Sequence, residues 1–401
     1  MSQTIDIEAA RRETPGCEER IHFNNAGASL MTRPVIDTVI EHLELEGRIG
    51  GYEAADAEQQ RVARIYDSAA RLVNADPSEI ALFENATRAW HAVFSALPFR
   101  AGDRILTGRA EYCSNYMAYI QVARATGAVV DVIEDDEHGQ LDVARLASAI
   151  DERVKLISLT HVPTSGGLVN PAAAVGRVAR AAGVPFLLDA CQSVGQLAID
   201  VEAIGCDYLS TTGRKFLRAP RGTGFLYVAR ERIEQLAPAI VEVGSAAWSS
   251  TDGYTLKPGA KRFETWEVSY ASRLGLGRAL DDALGHGLDA IEARVTRLAA
   301  ALRAQLAELP GVTVHDLGRV KCGIVTFGHD DVGAEALKTL LAQRAINVDV
   351  STPEDTQLDF EHRHLDPMVR ASMHYYNTED EIERFCDAVA TAAAAPAGAL
   401  A

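Results

Sequence analysis

Short runs of apolar and β-branched residues alternate with amphipathic stretches of helical period over residues 79–228, and this alternation constrains the fold more than any other feature of the sequence. Runs of the first kind predict strands and stretches of the second kind predict helices, an order typical of an α/β fold with a mostly parallel sheet. Seven strands are predicted, over Ile80–Phe83, Arg104–Thr107, Val129–Ile133, Lys155–Thr160, Pro185–Asp189, Asp207–Ser210 and Thr223–Val228. Helices are predicted over Ser114–Thr126, Leu141–Ile150 and Asn170–Ala182, with Gly127 and Gly183 as C-terminal caps.

The pattern changes after Pro258, and a smaller α+β domain is predicted to follow one long helix over His286–Leu309. Its strands are predicted over Val312–His315, Gly323–Phe327, Ile346–Val350 and Val369–His374, and its helices over Gly333–Arg344 and Thr378–Ala392. A chain of 401 residues exceeds one typical domain. We therefore expect a segment of residues 1–30 that joins the small domain, a large domain of residues 31–285, a small domain of residues 286–392 and a flexible tail of residues 393–401.

Charge and hydropathy favour small-molecule chemistry over binding to nucleic acid or membrane. The 56 acidic residues outnumber the 39 basic ones, which gives a net charge of −17 and repels polyanions. No apolar run reaches the roughly 18 residues of a membrane span, and the first residues do not resemble a secretory signal. The six cysteines are scattered, so we expect reduced thiols and a cytoplasmic protein with neither nucleic-acid nor membrane partners.

One lysine stands apart from the other five. Lys215 follows an apolar strand through a Ser-Thr-Thr-Gly turn and precedes a glycine-rich turn into the next strand. Ligands of open α/β sheets bind in the crevice at the strand ends, where this lysine is predicted to lie. The other lysines are Lys155, Lys257, Lys261, Lys321 and Lys338, and all of them except Lys321 are assigned to positions where lysine is ordinarily solvated.

The segments Thr212–Lys215 and Pro220–Gly224 together resemble the Schiff-base region of the aminotransferase class V and cysteine desulfurase-like family, which has the fold type I architecture of pyridoxal 5′-phosphate (PLP) enzymes. The resemblance implies that Lys215 is catalytic and holds PLP, and that Thr212 and Arg214 bind the cofactor phosphate. Relatives carry His where Arg214 stands. Arginine keeps a cation and a fork of donors that suits phosphate, but it cannot repeat an acid/base role.

Asp189 and Gln192, at the end of a predicted strand, are similar to a second motif of this family. The resemblance implies that Asp189 faces the pyridine nitrogen and keeps it protonated, and that Gln192 contacts the ring oxygen. Without the resemblance, Asp189 could simply be a helix cap. Between the two, Cys191 is expected to be a packed small hydrophobe.

Three further positions match cofactor-binding segments of the family. Asn85–Thr87 resembles its phosphate loop, although Thr87 could equally be an ordinary helix N-cap. Tyr112 stands where relatives place a ring stacked on the cofactor, the alternative being a core tyrosine. Thr164 stands where many relatives carry an Asn that touches cofactor or substrate. We therefore expect Asn85, Ala86, Thr87, Tyr112 and Thr164 at the cofactor.

The resemblance runs from about Phe23 to Phe385, with the motifs in family order. It assigns the substrate carboxylate to Arg370, and it assigns a substrate contact to Asn25, whose Asn-Asn-Ala-Gly setting is also ordinary turn chemistry. It further implies a homodimer with active sites at the interface. Glu267 stands where relatives send a small hydroxyl residue to the partner's phosphate site. The aromatics available for apolar contact in a dimer, or alternatively for the core, are Trp248, Tyr254 and Trp266.

The function implied is an enzyme acting on an α-amino acid through an external aldimine and loss of the Cα proton to Lys215. The resemblance leans to β-elimination by a carbon–sulfur lyase, because persulfide-forming relatives carry a cysteine shortly before the carboxylate-binding Arg, and residues 347–369 contain none. Transamination and epimerisation remain open, as does a non-catalytic PLP-binding scaffold, which would need neither Asp189 nor Arg370. No metal site is expected, since His362 and His364 lack further ligands at closing spacing and are predicted to lie in a solvated loop.

Overall fold

The computed structural model describes residues 4–393. Its strands β1 to β15 are Ile21–His22, Ile80–Phe83, Arg104–Gly108, Val129–Ile133, Val154–Thr160, Phe186–Asp189, Tyr208–Thr212, Gly224–Val228, Ala246–Ser250, Gly253–Leu256, Val312–Val314, Ile324–His329, Ile346–Asn347, Asp349–Ser351 and Met368–Ser372. Its helices α1 to α15 are Ile7–Arg12, Arg33–Ile49, Gly51–Ala57, Gln59–Val73, Ala86–Phe94, Cys113–Thr126, Val143–Ala149, Ala172–Ala182, Val201–Ile204, Arg230–Ile233, Tyr270–His286, Leu288–Ala307, Ala334–Ala342, Gln357–Arg363 and Glu379–Ala393.

A seven-stranded sheet forms the centre of the molecule, with the strand order β2-β8-β7-β6-β5-β3-β4. Only β8 runs antiparallel to its neighbours, so the other six strands point the same way. These are the seven strands predicted from the sequence. The α/β architecture with a mostly parallel sheet is therefore confirmed.

The parallel strands bring polar residues to one edge of this sheet. Thr160 is paired with Asp189, and Asp189 is paired with Ser210, so β5, β6 and β7 end at nearly the same level. The loops that follow β2 and β3 leave from the same edge because those strands share the direction. Residues far apart in sequence are thereby gathered around one crevice, as expected for an open α/β sheet.

The three helices predicted between the strands of this sheet are present as α6, α7 and α8. Gly127 and Gly183 adopt left-handed conformations, with φ of 81° and 66°, at the ends of α6 and α8. The layer formed by α2, α4 and α11, in which α11 packs against the other two, was not predicted.

The long helix predicted over His286–Leu309 is confirmed as α12, which begins at Leu288 and ends at Ala307. The helix α11 before it was not predicted, and Gly287, whose φ of 84° and ψ of 123° lie outside the helical region, separates the two. His362 and His364 are not in the predicted loop: α14 ends at Arg363, and His364 is its left-handed cap. Both histidines are exposed.

The smaller sheet has the order β11-β12-β15-β14, and β1 pairs with β13 beside it. The strand predicted over Ile346–Val350 is thus two short strands with different partners. A hydrophobic cluster beneath this sheet includes Phe23 from the N-terminal segment and Phe385 from α15, whose ring centroids lie 5.2 Å apart. The domain boundaries stay a prediction.

Within the described residues, no helix is long and apolar enough to cross a membrane. Apart from its first residue, the predicted tail of residues 393–401 lies outside the described part of the chain.

Candidate active site

Lys215 lies in the turn that follows β7, with its side chain buried at the edge of the central sheet where the parallel strands end. Its Nζ forms no ion pair within residues 4–393. Burial is the main cause that lowers the pKa of Lys215 from 10.5 to about 8; the nearby Arg214 and Arg370 contribute to this shift, while Cys191 and Asp189 oppose it. A substantial fraction of the amine is therefore neutral near pH 8, and the neutral amine is the form that attacks an aldehyde.

A crevice that is partly open to solvent surrounds this lysine. Ten of its lining residues were predicted from the sequence as cofactor-binding, and these are Asn85, Ala86, Thr87, Tyr112, Thr164, Asp189, Gln192, Thr212, Arg214 and Lys215. Thr160, Val162 and Cys191 also line it.

One end of the crevice is electropositive. The helix α5 begins there, and Asn85 is its N-cap, accepting a hydrogen bond of 3.0 Å from the backbone nitrogen of Arg88. Thr87 is therefore not the N-cap, which leaves its hydroxyl and the first backbone N–H groups of the helix free to meet an anion. Arg214 donates to the carbonyl of Gly27, and burial lowers its pKa. This end of the crevice suits a phosphate group.

Asp189 lies at the floor of the crevice, at the end of β6. Its Oδ1 accepts from the backbone nitrogen of Cys191 at 2.9 Å, and its Oδ2 accepts from Asn115 Nδ2 at 2.9 Å. Asp189 is not a helix cap, because β6 leads into an irregular turn. The two bonds fix the plane of the carboxylate and leave lone pairs for a further donor.

Cys191 is half-buried and lines the crevice, in contrast to the packed position predicted for it. Burial and the neighbouring Asp189 raise the pKa of Cys191 well above its usual value of 9.0. The thiol is therefore protonated at neutral pH and is a weak nucleophile. The ring of Tyr112, which is also half-buried, faces the same crevice rather than the core.

Arg370, on β15 of the small sheet, reaches the crevice through Thr164. Its Nη1 donates to the hydroxyl of Thr164 at 2.7 Å and to the carbonyl of Thr164 at 3.1 Å, and its Nη2 donates to Asp349 at 3.1 Å. Among the described residues, its buried Nε has no hydrogen-bond partner. Of the five N–H groups of Arg370, the one on Nε and one on Nη2 thus remain available, and two donors suit a carboxylate.

Thr164 offers a further donor. Its hydroxyl oxygen accepts from Arg370 and, at 3.1 Å, from Gln192 Nε2, so its own proton remains to be donated. Since Thr164 lines the crevice, that proton is available to a ligand there. Among the described residues, Gln192 Oε1 is buried without a hydrogen-bond partner, as Arg370 Nε is.

Asn25 does not line the crevice. Its Nδ2 donates to the carbonyl of Ser372 at 2.7 Å, and its Oδ1 accepts from the Tyr376 hydroxyl at 2.5 Å. The side chain therefore joins the N-terminal segment to the small domain and has little left to offer a ligand. The substrate contact stays a prediction without geometric support.

The residues present fit PLP. The helix N-terminus and Arg214 suit its phosphate, Lys215 its aldehyde, and Asp189 its basic ring nitrogen, while Tyr112 supplies a flat face. Glu111 and Asn115, which lie behind Asp189, were not predicted as site residues from the sequence. Their spacing of four residues was visible, but nothing in the sequence linked them to Asp189. No group of three or more His, Cys, Asp or Glu in residues 4–393 could hold a metal ion.

Known proteins match nearly the whole chain. The model of a family described as Aminotransferase class-V matches residues 21–385. A Xylella fastidiosa protein named "Probable cysteine desulfurase" is 31% identical over 401 residues, which covers 96% of this chain and 95% of that protein. The apo structure of a cysteine desulfurase from Thermococcus onnurineus NA1 has a TM-score of 0.90 at 26% identity and covers 98% of this chain and 99% of that one. The cystine C–S lyase C-DES, solved with its reaction product cysteine persulfide, shares the fold with a TM-score of 0.86 at 24% identity, covering 94% of this chain and 99% of that one.

Proposed function

Because the chain belongs to the aminotransferase class V family of PLP-dependent enzymes, we propose that it cleaves a carbon–sulfur bond of an α-amino acid by β-elimination, without passing sulfur to a cysteine of its own. The segment of residues 347–369 carries this proposal. It lies beside the crevice, where Asp349 pairs with Arg370 and the hydroxyls of Thr356 and Ser165 share a hydrogen bond of 2.7 Å. The segment offers hydroxyls and carboxylates there, but no thiol.

When bound, PLP supplies an aldehyde that links covalently to amines and a protonated ring that accepts electrons when a bond to the substrate Cα breaks. Asp189 holds the proton at the ring nitrogen, since a carboxylate beside that atom favours its cationic form. The α5 N-terminus, Thr212 and Arg214 bind the phosphate and fix the position of the ring. Tyr112 limits its tilt.

Arg370 binds the substrate, and Lys215 accepts a proton from it. Arg370 binds the carboxylate with the donors of Nε and Nη2, which orients the substrate so that its Cα proton faces Lys215. Lys215 then takes this proton at Nζ, and its pKa of about 8 suits proton transfer near neutral pH. As the proton leaves Cα, the bond from Cβ to sulfur breaks and sulfur departs with the bonding electrons. The remaining three-carbon fragment hydrolyses to pyruvate and ammonia.

The thiols nearest the site are poorly suited to attack sulfur. Cys191 is protonated because burial and Asp189 raise its pKa. Cys113 is half-buried at the start of α6 and does not line the crevice. A desulfurase mechanism needs a thiolate that reaches the substrate sulfur. Both observations favour elimination.

We also propose a homodimer with active sites at its interface. The hairpin of β9 and β10 projects into solvent, with 82% of Trp248 and 59% of Tyr254 exposed, and 51% of Trp266 is exposed nearby in sequence. The alternative that these aromatics belong to the core is wrong. Large exposed aromatic side chains are typical of protein interfaces. Residence in the cytoplasm stays a prediction.

The test is the product of the PLP-loaded protein with cystine, cysteine and S-substituted cysteines. We expect pyruvate and ammonia in equal amounts, with neither in Lys215→Ala. Alanine formed together with an enzyme persulfide would show a desulfurase instead, and exchange of amino groups with a keto acid would show a transaminase. Loss of optical rotation without bond cleavage would show an epimerase. A Lys215-linked cofactor without turnover of any of these would favour the scaffold.

A further inference from the structure

A second carboxylate lies buried behind Asp189. Glu111 follows β3 and is only 4% exposed. Its Oε1 accepts from the backbone nitrogen of Tyr112 at 2.8 Å, from Asn115 Nδ2 at 3.0 Å and from the Thr160 hydroxyl. Its Oε2 accepts from the Thr107 hydroxyl at 2.9 Å, and the Tyr119 hydroxyl lies 3.3 Å away. So many donors around one side chain are the environment of a carboxylate that carries charge.

Asn115 joins this carboxylate to the one in the crevice. Its Nδ2 donates one hydrogen to Glu111 Oε1 at 3.0 Å and the other to Asp189 Oδ2 at 2.9 Å. Both hydrogens of the amide are thereby used, and the nitrogen bridges two buried carboxylates. An amide that makes both bonds cannot rotate without breaking one of them, so Glu111 determines the direction from which Asp189 is held.

We propose that Glu111 is a positioning residue that acts through Asn115 on Asp189, so that Asp189 holds the proton on the ring nitrogen of the bound cofactor. The inference rests on the PLP dependence of the proposed function but not on which bond of the substrate is cleaved. Two carboxylates on one neutral bridge repel each other, and a cation in contact with Asp189 relieves that repulsion. The protonated ring nitrogen is such a cation. Removing the charge of Glu111 weakens the preference of the crevice for it.

The packing of the Glu111 side chain does not require its charge. Gln at this position keeps the shape, and its amide can accept from Tyr112 and Asn115 while donating to the Thr107 hydroxyl, which can also accept. Glu111→Gln therefore removes the charge and spares most of the hydrogen bonds. The pKa of Glu111 is raised, chiefly by burial and less by the charge of Asp189, while its bonds to Thr160 and Asn115 favour the charged form.

The experiment compares binding of PLP with binding of its 1-deaza analogue, in which a C–H group replaces the ring nitrogen. Dissociation constants of both are measured for the apo forms of the full-length protein and its variants. The ratio of the two constants reports the ring nitrogen alone, because all other contacts are shared. We expect PLP to bind more tightly than the analogue, and Glu111→Gln to reduce that preference about threefold to tenfold, a usual coupling for residues in one network. Glu111→Asp, which keeps the charge, should retain most of it.

The matched control is Glu264→Gln. Glu264 is also a buried carboxylate, 7% exposed, which accepts from the Tyr66 hydroxyl at 2.8 Å and the Leu82 nitrogen at 2.9 Å, but it makes no contact with Asp189. Its variant should leave the preference unchanged. If Glu111→Gln weakens binding of PLP and the analogue equally, Glu111 is merely structural and the proposal is wrong.

The route through Asn115 is tested separately with Asn115→Leu. This variant alone should reduce the preference for PLP, and in its background Glu111→Gln should have no further effect. A full additional effect would mean that Glu111 acts without the bridge, which contradicts the proposal. Should Glu111→Gln fail to fold, an unchanged preference in Asn115→Leu would by itself overturn the inference. None of these measurements requires turnover, so they remain decisive even if the lyase reaction is not found.

Discussion

Arg370 donates to the hydroxyl of Thr164 across 2.7 Å, and this bond joins the small sheet to the crevice of the large one. The two residues are 206 positions apart in sequence. With Nη1 held by Thr164 and Nη2 by Asp349, the guanidinium is fixed before any ligand arrives. A preorganised clamp loses little entropy on binding, so its contribution should appear mainly in substrate affinity.

Replacement of Arg370 by Ala should therefore raise KM, because it removes charge-assisted hydrogen bonds worth roughly 1.5–3 kcal/mol each. Thr164→Val should raise KM less, since Arg370 keeps the carbonyl of Thr164. Arg363→Ala is the control, because Arg363 lies in the same part of the chain but pairs with Asp359. Steady-state kinetics and the visible absorbance of the cofactor are the measurements. Loss of the cofactor from Arg370→Ala would show a structural or phosphate-binding role instead.

Covalent attachment of the cofactor should depend on pH with a midpoint near 8. Burial disfavours the cationic form of Lys215 and lowers its pKa to about 8, so the neutral amine becomes abundant well below the usual value of 10.5. Below pH 8 the attachment rate should fall about tenfold per pH unit, and above pH 8 it should level off. Rapid mixing of apoprotein with PLP measures this rate, and Lys215→Ala should show no attachment. A midpoint near 10 would mean that the amine is solvated.

The sequence predicted the crevice better than it predicted the layers around it. The strands and the residues that end them are adjacent in sequence, so Thr212–Lys215, Asp189 and Asn85–Thr87 form short contiguous motifs whose resemblance to the family predicted that they meet at one crevice. The helix α11 was not predicted because Gly275, Gly277 and Gly285 lower the helix propensity of its sequence. Glu111 was missed as a functional residue because its link to Asp189 depends on Asn115, which lies 74 residues before Asp189, and such contacts follow only from the assembled sheet.

Two glycines in helices should respond oppositely to Ala. A Cβ at Gly176, in α8, would lie 1.8 Å from the carbonyl oxygen of Ile204, so Gly176→Ala must displace backbone and should lower the free energy of unfolding by about 1–3 kcal/mol. A Cβ at Gly47, in α2, would meet nothing within 4 Å. Gly47→Ala should raise that free energy by about 0.5–1 kcal/mol, the ordinary gain in helix propensity. Chemical denaturation measures both, and equal effects would contradict the packing of α8 against the end of α9.

Trp248→Glu should weaken the proposed homodimer. A charge at a side chain that is 82% exposed costs the folded monomer little, but it is costly in an apolar interface. Val320→Glu is the control, because Val320 is also exposed, at 58%, and lies in another part of the chain. Solution mass at micromolar concentration should fall to that of the monomer only in the first variant. A wild-type protein that is monomeric and fully active would refute the proposal that the active sites lie at a dimer interface.

A variant with all six cysteines replaced by Ala should retain most of the pyruvate-forming activity. Cys206, Cys322 and Cys386 are buried, and burial raises the pKa of Cys322 and of Cys386 to about 11, so none of these presents a thiolate to a substrate. Cys17 and Cys113 do not line the crevice, and Cys191, which does, is held in its protonated form by burial and by Asp189. Elimination needs only the proton transfer at Lys215 and the departure of sulfur, and neither step uses a thiol. The variant should lose some stability at its buried positions, because Ala leaves small cavities there, so the assay is made well below its melting temperature. If its activity falls to the level of Lys215→Ala while the fold and cofactor binding persist, and restoring Cys113 or Cys191 alone recovers it, then sulfur is transferred to the enzyme and the proposed elimination is wrong.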